Sequence, residues 1–318
     1  SARTERITIN GVLNLNKPPG ETSMNMVRMV KRLTKEKKVG HGGTLDPIAE
    51  GVLPICFGQA TRLMDPLVDG MKLYRTKIRL GEATDTYDSD GTIVSTADPT
   101  SISRQDIERA LISFTGVIAQ IPPMYSALKH GGERLYALAR AGFEVEREAR
   151  TVKVSRIDIV KWELPDVVLD IECGRGVYVR SIGHDLGSML GCGGHVIELQ
   201  RRKAGPFRIE DGVSPEVFTA AVERGTWHEL IHPPDTVVQN LPAVTVTGAL
   251  ESFVKNGRSI RLGSREGLEQ VNHGDLCRIY THDGQFLALA RFDKPLGQWK
   301  PEKVFDQGSI TMQKDHAL

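Results

Sequence analysis

Apolar and polar residues alternate most cleanly over Lys72–Leu80, where Tyr74, Thr76, Ile78 and Leu80 share one face and Arg75, Lys77 and Arg79 the other. A period of two marks a half-buried strand and turns the Tyr74 ring inward. Residues 11–16 form a shorter strand, stopped by Lys17-Pro18-Pro19-Gly20. The period then changes: Val27, Val30 and Leu33 recur at helical spacing behind Ser23, read as the N-cap, with Arg28, Lys31, Arg32 and Lys35 on the other faces. Ser103 to Asp106 has capping-box form ahead of Ile107, Leu111 and Phe114, and Gly116 is read as closing that helix. Asp166–Cys173 reads as a strand, which Gly174-Arg175-Gly176 turns into a helix through Ile182, Leu186 and Leu190. Residues 196–202 give a further strand, and Ser214-Pro215 opens a helix that Gly225 ends.

Between these elements lies Val39-Gly40-His41-Gly42-Gly43-Thr44-Leu45-Asp46-Pro47, one carboxylate among three glycines and a proline. Regular structure does not continue easily through such a run. Asp46 fits either a shaped loop that holds a carboxylate against a ligand or an Asx-turn bonded to nearby amides. Arg180, near a helix start, opposes the helix dipole and is there for a partner or as a surface cap residue. Residues 86–91 imitate a calcium loop, but Thr86 occupies the first ligand position and Ala97 the place of the bidentate Glu. A polar turn between two strands fits better.

Composition narrows the function classes. A chain of 318 residues has room for about two domains, and His232-Pro233-Pro234-Asp235 is the best linker, dividing residues 1–234 from 235–318. A formal charge of +1 excludes a polybasic coat, so a polyanion would be held by local patches such as the Arg28 to Lys38 segment and Arg201-Arg202-Lys203. The four cysteines contain no CxxC pair, and neither zinc nor a disulfide framework is indicated. No apolar run approaches the roughly 20 residues of a membrane span, and residues 1–6 lead into no signal-type core. A cytoplasmic protein is the expectation. Phosphate-loop, dinucleotide and HExxH motifs are lacking and the nine histidines are scattered, so no metal or cofactor is expected.

Residues 39–54, ending Ile48-Ala49-Glu50-Gly51-Val52-Leu53-Pro54, resemble the signature loop of the TruB family of tRNA pseudouridine synthases, GHxGTLDPxAxGVLP. Lys17-Pro18-Pro19-Gly20 with Thr22-Ser23 is similar to the family's bracing KPxGxTS segment, and Lys72-Leu73-Tyr74 to its catalytic tyrosine strand. Residues 120–129 and 136–142 look like its RNA-gripping insertion, placed at about 122–150. Gly174-Arg175-Gly176-Val177-Tyr178-Val179-Arg180-Ser181 resembles the active-site arginine motif, and residues 198–207 the strand whose leucine lines the pocket. Gly42 stands where the family commonly has Thr or Ser, and Gln200 where an arginine pair would begin. Gly274-Asp275 with Asp283-Gly284-Gln285-Phe286-Leu287-Ala288 is similar to the ending of a PUA-type RNA-binding module.

The resemblance implies an α+β fold: a mixed, largely antiparallel sheet with flanking helices, followed by a small C-terminal PUA-like β-barrel. It implies isomerisation of uridine 55 in the tRNA T-loop after base flipping, with Asp46 as nucleophile, Tyr74 assisting proton transfer and Arg180 holding Asp46. His41 would fill the vacated stack, although a lone histidine is ordinarily a core or surface residue. Leu199 would wall the pocket, and Tyr178 and Lys17 would contact substrate, Lys17 also suiting a structural place at the loop base. The implied partner is the tRNA T-arm, bound by a monomer without guide RNA, obligate protein partner or membrane. Two alternatives stay open: a guide-RNA-dependent synthase of the dyskerin branch, which largely lacks the insertion, and a non-catalytic tRNA-binding or folding protein, which would not need Asp46 facing a polyanion.

Overall fold

The computed structural model describes residues 9–305. The segment 1–6 and the outer ends of both expected domains, 1–8 and 306–318, lie outside them. β1 (Gly11–Lys17) is buried on both faces except at Asn16, as befits a strand covered on two sides. Pro18 and Pro19 cannot extend its ladder, and the chain turns into α1 (Ser23–Thr34). Thr22, not Ser23, caps this helix by accepting a hydrogen bond from Asn25 N at 3.0 Å. Ser23 is already helical and buried, because its hydroxyl is engaged by the Asp46 loop.

β2 (Val39–His41), β3 (Glu50–Phe57), β4 (Lys72–Leu80), α2 (Arg104–Ile112), β5 (Gly116–Gln120), β6 (Arg150–Glu163), β7 (Asp166–Cys173), α3 (Val179–Met189), β8 (Gly194–Ala204) and α4 (Pro215–Glu223) follow. The capping box of Ser103 and Asp106 is present, but α2 stops at Ile112. Gly116 instead opens β5 with φ 97°, a conformation that favours glycine. The turn at residues 86–91 does lie between two short paired strands, Glu82–Thr84 and Ile93–Thr96.

The main sheet runs Ile231–His232, β1, β3, β8, β4, β7, β6, β5, with β2 beside β3. Its pairs are antiparallel except β3 with β8, parallel over Gln200↔Glu50 and Arg201↔Gly51. The sheet is therefore mixed and largely antiparallel. Leu13, Leu15, Leu53, Ile55, Ile78 and Ile171 face the helices in one core. Val12, Val52, Cys56, Ala204 and Phe207 face the other way, under Leu63, Leu67, Val237, Leu289 and Phe305.

The C-terminal segment adds β9 (Ala243–Thr245), α5 (Gly248–Lys255), β10 (Leu276–Tyr280), β11 (Phe286–Asp293) and β12 (Gln298–Val304), in the order β9, β10, β11, β12. They enclose a core of their own around Val254, Ile279, Leu287 and Trp299. The closed barrel expected here is not found: among the described residues no pairing joins β9 to β12. The outer edge of β12 is taken instead by an antiparallel bridge between Trp299 and Ile260. No helix among the described residues is long and apolar enough to cross a membrane.

Candidate active site

Asp46 sits on the connection between β2 and β3, and three side chains pin that connection from different directions. From α1, Ser23 Oγ accepts from Leu45 N at 2.8 Å and donates to Leu45 O at 3.2 Å. From the end of β1, the fully buried Lys17 donates from Nζ to Pro18 O (2.9 Å), Glu21 O (2.5 Å) and Pro47 O (3.4 Å). From β8, Arg201, 1% exposed, donates to Val52 O (2.8 Å), Gly43 O (2.9 Å) and Thr44 O (3.5 Å). Buried backbone carbonyls need such partners, and these lie on both sides of Asp46. Burial holds the Lys17 ammonium down to about 8, against the pull of Asp46 and Glu21.

Arg180, in the first turn of α3 and 4% exposed, meets Asp46 with its fork: Nε to Oδ2 at 2.8 Å and Nη2 to Oδ1 at 3.0 Å. Its remaining nitrogen donates to Thr86 O at 3.3 Å. The carboxylate outweighs the unfavourable helix dipole. The start of α3 is itself clamped: Tyr178 N donates to Gln120 Oε1 at 2.7 Å, and Gln120 Nε2 donates to Tyr178 O at 3.0 Å.

Around the pair opens a cavity of about 840 Å³, lined among others by Tyr74, Asp88, Tyr178, Leu199, Arg201 and residues of the 125–152 stretch. Such a volume suits a nucleotide-sized ligand. Tyr74 is partly buried on β4, in register with Arg201 of β8. Burial pushes its phenol up, and the adjacent Arg201 guanidinium opposes that. Asp88, 5% exposed, accepts from Thr86 Oγ1 at 2.6 Å and Asp90 N at 3.1 Å. Burial raises its carboxyl, with Thr86 and Arg180 pulling the other way.

The cavity gathers Asp46, Tyr74, Arg180, Leu199 and Tyr178. Two of the expected contacts lie off its wall. Lys17 stands beneath the loop, its ammonium occupied by carbonyls. His41 ends β2, opposite Ile55, because the strand continues into the glycine run instead of giving way to a free loop. Its Nδ1 is buried without a hydrogen-bond partner among the described residues, and burial lowers its pKa.

Residues 31–179 match the model of the TruB family pseudouridylate synthase N-terminal domain, and residues 180–239 that of the tRNA pseudouridylate synthase B C-terminal domain. The chain belongs to the TruB family. It is 42% identical over 297 residues to the tRNA pseudouridine synthase B of Dehalococcoides mccartyi, covering 93% of this chain and 97% of that one. The protein of the same name from Moorella thermoacetica is 41% identical over 305 residues, at 93% and 99% coverage. Among solved structures, an H/ACA RNP bound to a substrate RNA containing 2′-deoxyuridine contains a chain 26% identical, with TM-score 0.70, covering 93% of this chain and 85% of that one.

Three contributors to this TruB-family site stand outside the residues expected from the sequence. Arg201 stands in the basic trio Arg201-Arg202-Lys203, yet strand alternation from Leu199 turns it inward. Asp88 lies in a polar turn, and nothing local shows that the turn folds over Arg180. Ser23 suits a cap, but the adjacent Thr22 is an equally good one and takes that place.

Proposed function

We propose that this TruB-family chain converts uridine 55 of the tRNA T-loop to pseudouridine, without a guide RNA. The net reaction breaks N1–C1′, turns the uracil and forms C5–C1′, while the C5 proton is lost and N1 gains one. No other atoms or electrons enter or leave, so a carboxylate nucleophile suffices without metal or cofactor. The uridine is flipped into the cavity. Asp46 attacks, Arg180 holds and aims its carboxylate, and Tyr74 stacks on the uracil and moves a proton. Leu199 and Tyr178 wall the base, and His41, two residues before Gly43 of the cavity lining, takes its place in the helix. Residues 235–318 are read as a PUA-like module gripping tRNA beyond the T-loop, supported by their sequence pattern and separate core. The enzyme is taken to work as a cytoplasmic monomer.

The observation that carries this reading is the two-bonded Asp46–Arg180 pair opening into a cavity shared with Tyr74. Fold similarity to an H/ACA RNP component favours a guide-dependent alternative. The closer likeness to proteins named tRNA pseudouridine synthase B supports the stand-alone reading. Incubating the purified protein with one unmodified tRNA, and mapping pseudouridine by position, decides between them. Product at position 55 alone is expected; none without added guide RNA and proteins would overturn the proposal.

A further inference from the structure

Lys72 begins β4, two residues before Tyr74 and so on the same strand face. It is 6% exposed and lines the same cavity. An ammonium carries three donors. One goes to Val68 O, and among the described residues no carboxylate pairs with Lys72. Its charged surroundings are mainly cationic: Arg201 is engaged with carbonyls and with the Tyr74 phenol, and Arg175 is already paired with Asp69 at 2.7 Å. Across the β7 pairing stands Cys173, a thiol that burial pushes up to about 12 and leaves neutral. Burial holds Lys72 down to about 8, so it keeps its charge at neutral pH.

An unpaired buried cation with free donors on a cavity wall calls for an anion from outside. We propose that Lys72 binds the RNA substrate, donating to a phosphate oxygen of a nucleotide flanking the flipped uridine. This rests on the cavity being the RNA site. RNA brings one negative charge per nucleotide, and a compact ammonium suits a phosphate oxygen as a point charge. Of the three carboxylates lining the cavity, Asp46 is engaged by Arg180 and Asp88 by Thr86, and neither these nor Asp90 pairs with Lys72.

The test uses the full chain and a T-arm hairpin carrying the target uridine. Affinity across a salt series and single-turnover rate are measured for wild type, Lys72→Met and Lys72→Arg. Neutral methylphosphonates replace, one at a time, the phosphates within two nucleotides of the target. Lys72→Met is expected to weaken binding roughly tenfold at low salt and make the salt slope of log affinity shallower by about 0.7. Lys72→Arg should retain most of the affinity. One methylphosphonate should weaken wild type but cost Lys72→Met nothing further. Wild-type affinity and slope in Lys72→Met, or equal losses for both proteins at every phosphate, would overturn the assignment. Should Lys72→Met not fold, a wild type indifferent to every methylphosphonate still sinks it. Absence of pseudouridine from wild type would instead sink the proposed function.

Discussion

Arg180 meets both oxygens of Asp46, and only a planar fork can do so. Arg180→Lys keeps the charge but loses the geometry, so the single-turnover rate should fall more than tenfold, about 1.4 kcal/mol, with tRNA affinity changed far less. A smaller rate loss would count against an active-site role for the pair. Asp46→Asn removes the proposed nucleophile while leaving the cavity shape, and should abolish product with affinity within a few-fold of wild type. Turnover close to wild type in that variant would end the nucleophile assignment. Lys17 has a pH signature. Its folded value of about 8 lies below the ordinary 10.5, so the unfolded chain binds more protons in that window and the lysine's contribution to stability rises with pH across it. Urea denaturation should show Lys17→Met more destabilising at about pH 10 than at about pH 7; a gap that shrinks instead would contradict the burial argument.

The β2–β3 connection keeps its shape because neighbouring elements reach over it. Gly51 has φ 105°, and a Cβ there would lie 2.2 Å from Arg201 O, so the parallel seam of β3 and β8 requires glycine. At Gly42, where the family commonly has Thr or Ser, a Cβ would stand 2.5 Å from Leu67 Cδ1. The leucine fills the space a larger residue would need. Arg201→Met should strand the Val52, Gly43 and Thr44 carbonyls and cost on the order of 3 kcal/mol in chemical denaturation. A loss below about 1 kcal/mol would mean that the connection holds without its guanidinium.

At the scale of the whole molecule, the C-terminal segment is packed onto the main sheet. Val237, Val238, Leu289 and Phe305 share a core with Val12, Leu63 and Phe207. Arg62 donates to Val304 O at 2.5 Å and stacks over Phe305, and Tyr280 donates to Asp235 at 2.6 Å. Deleting residues 235–318 would uncover apolar surface on the catalytic part. The truncated protein should melt at a lower temperature as well as bind RNA less well. An unchanged melting temperature would show that the two parts fold independently.

The sequence by itself determined what a local period or a turn can encode: the inward face of Tyr74, the place of Asp46 outside regular structure, and the capping box at Ser103. It also carried the family motifs, because their residues are contiguous. Only the tertiary structure decided which distant groups meet. Asp46 and Arg180 are 134 positions apart, and their contact depends on where β5 and its clamp on Tyr178 deliver α3. Alternation sets Lys72 on the face of Tyr74 and Arg201 on that of Leu199, but only the sheet order, with β8 beside β4, brings the two cations to one cavity. Thr22 against Ser23, and an open sheet against a closed barrel, turned likewise on neighbours that no local pattern names.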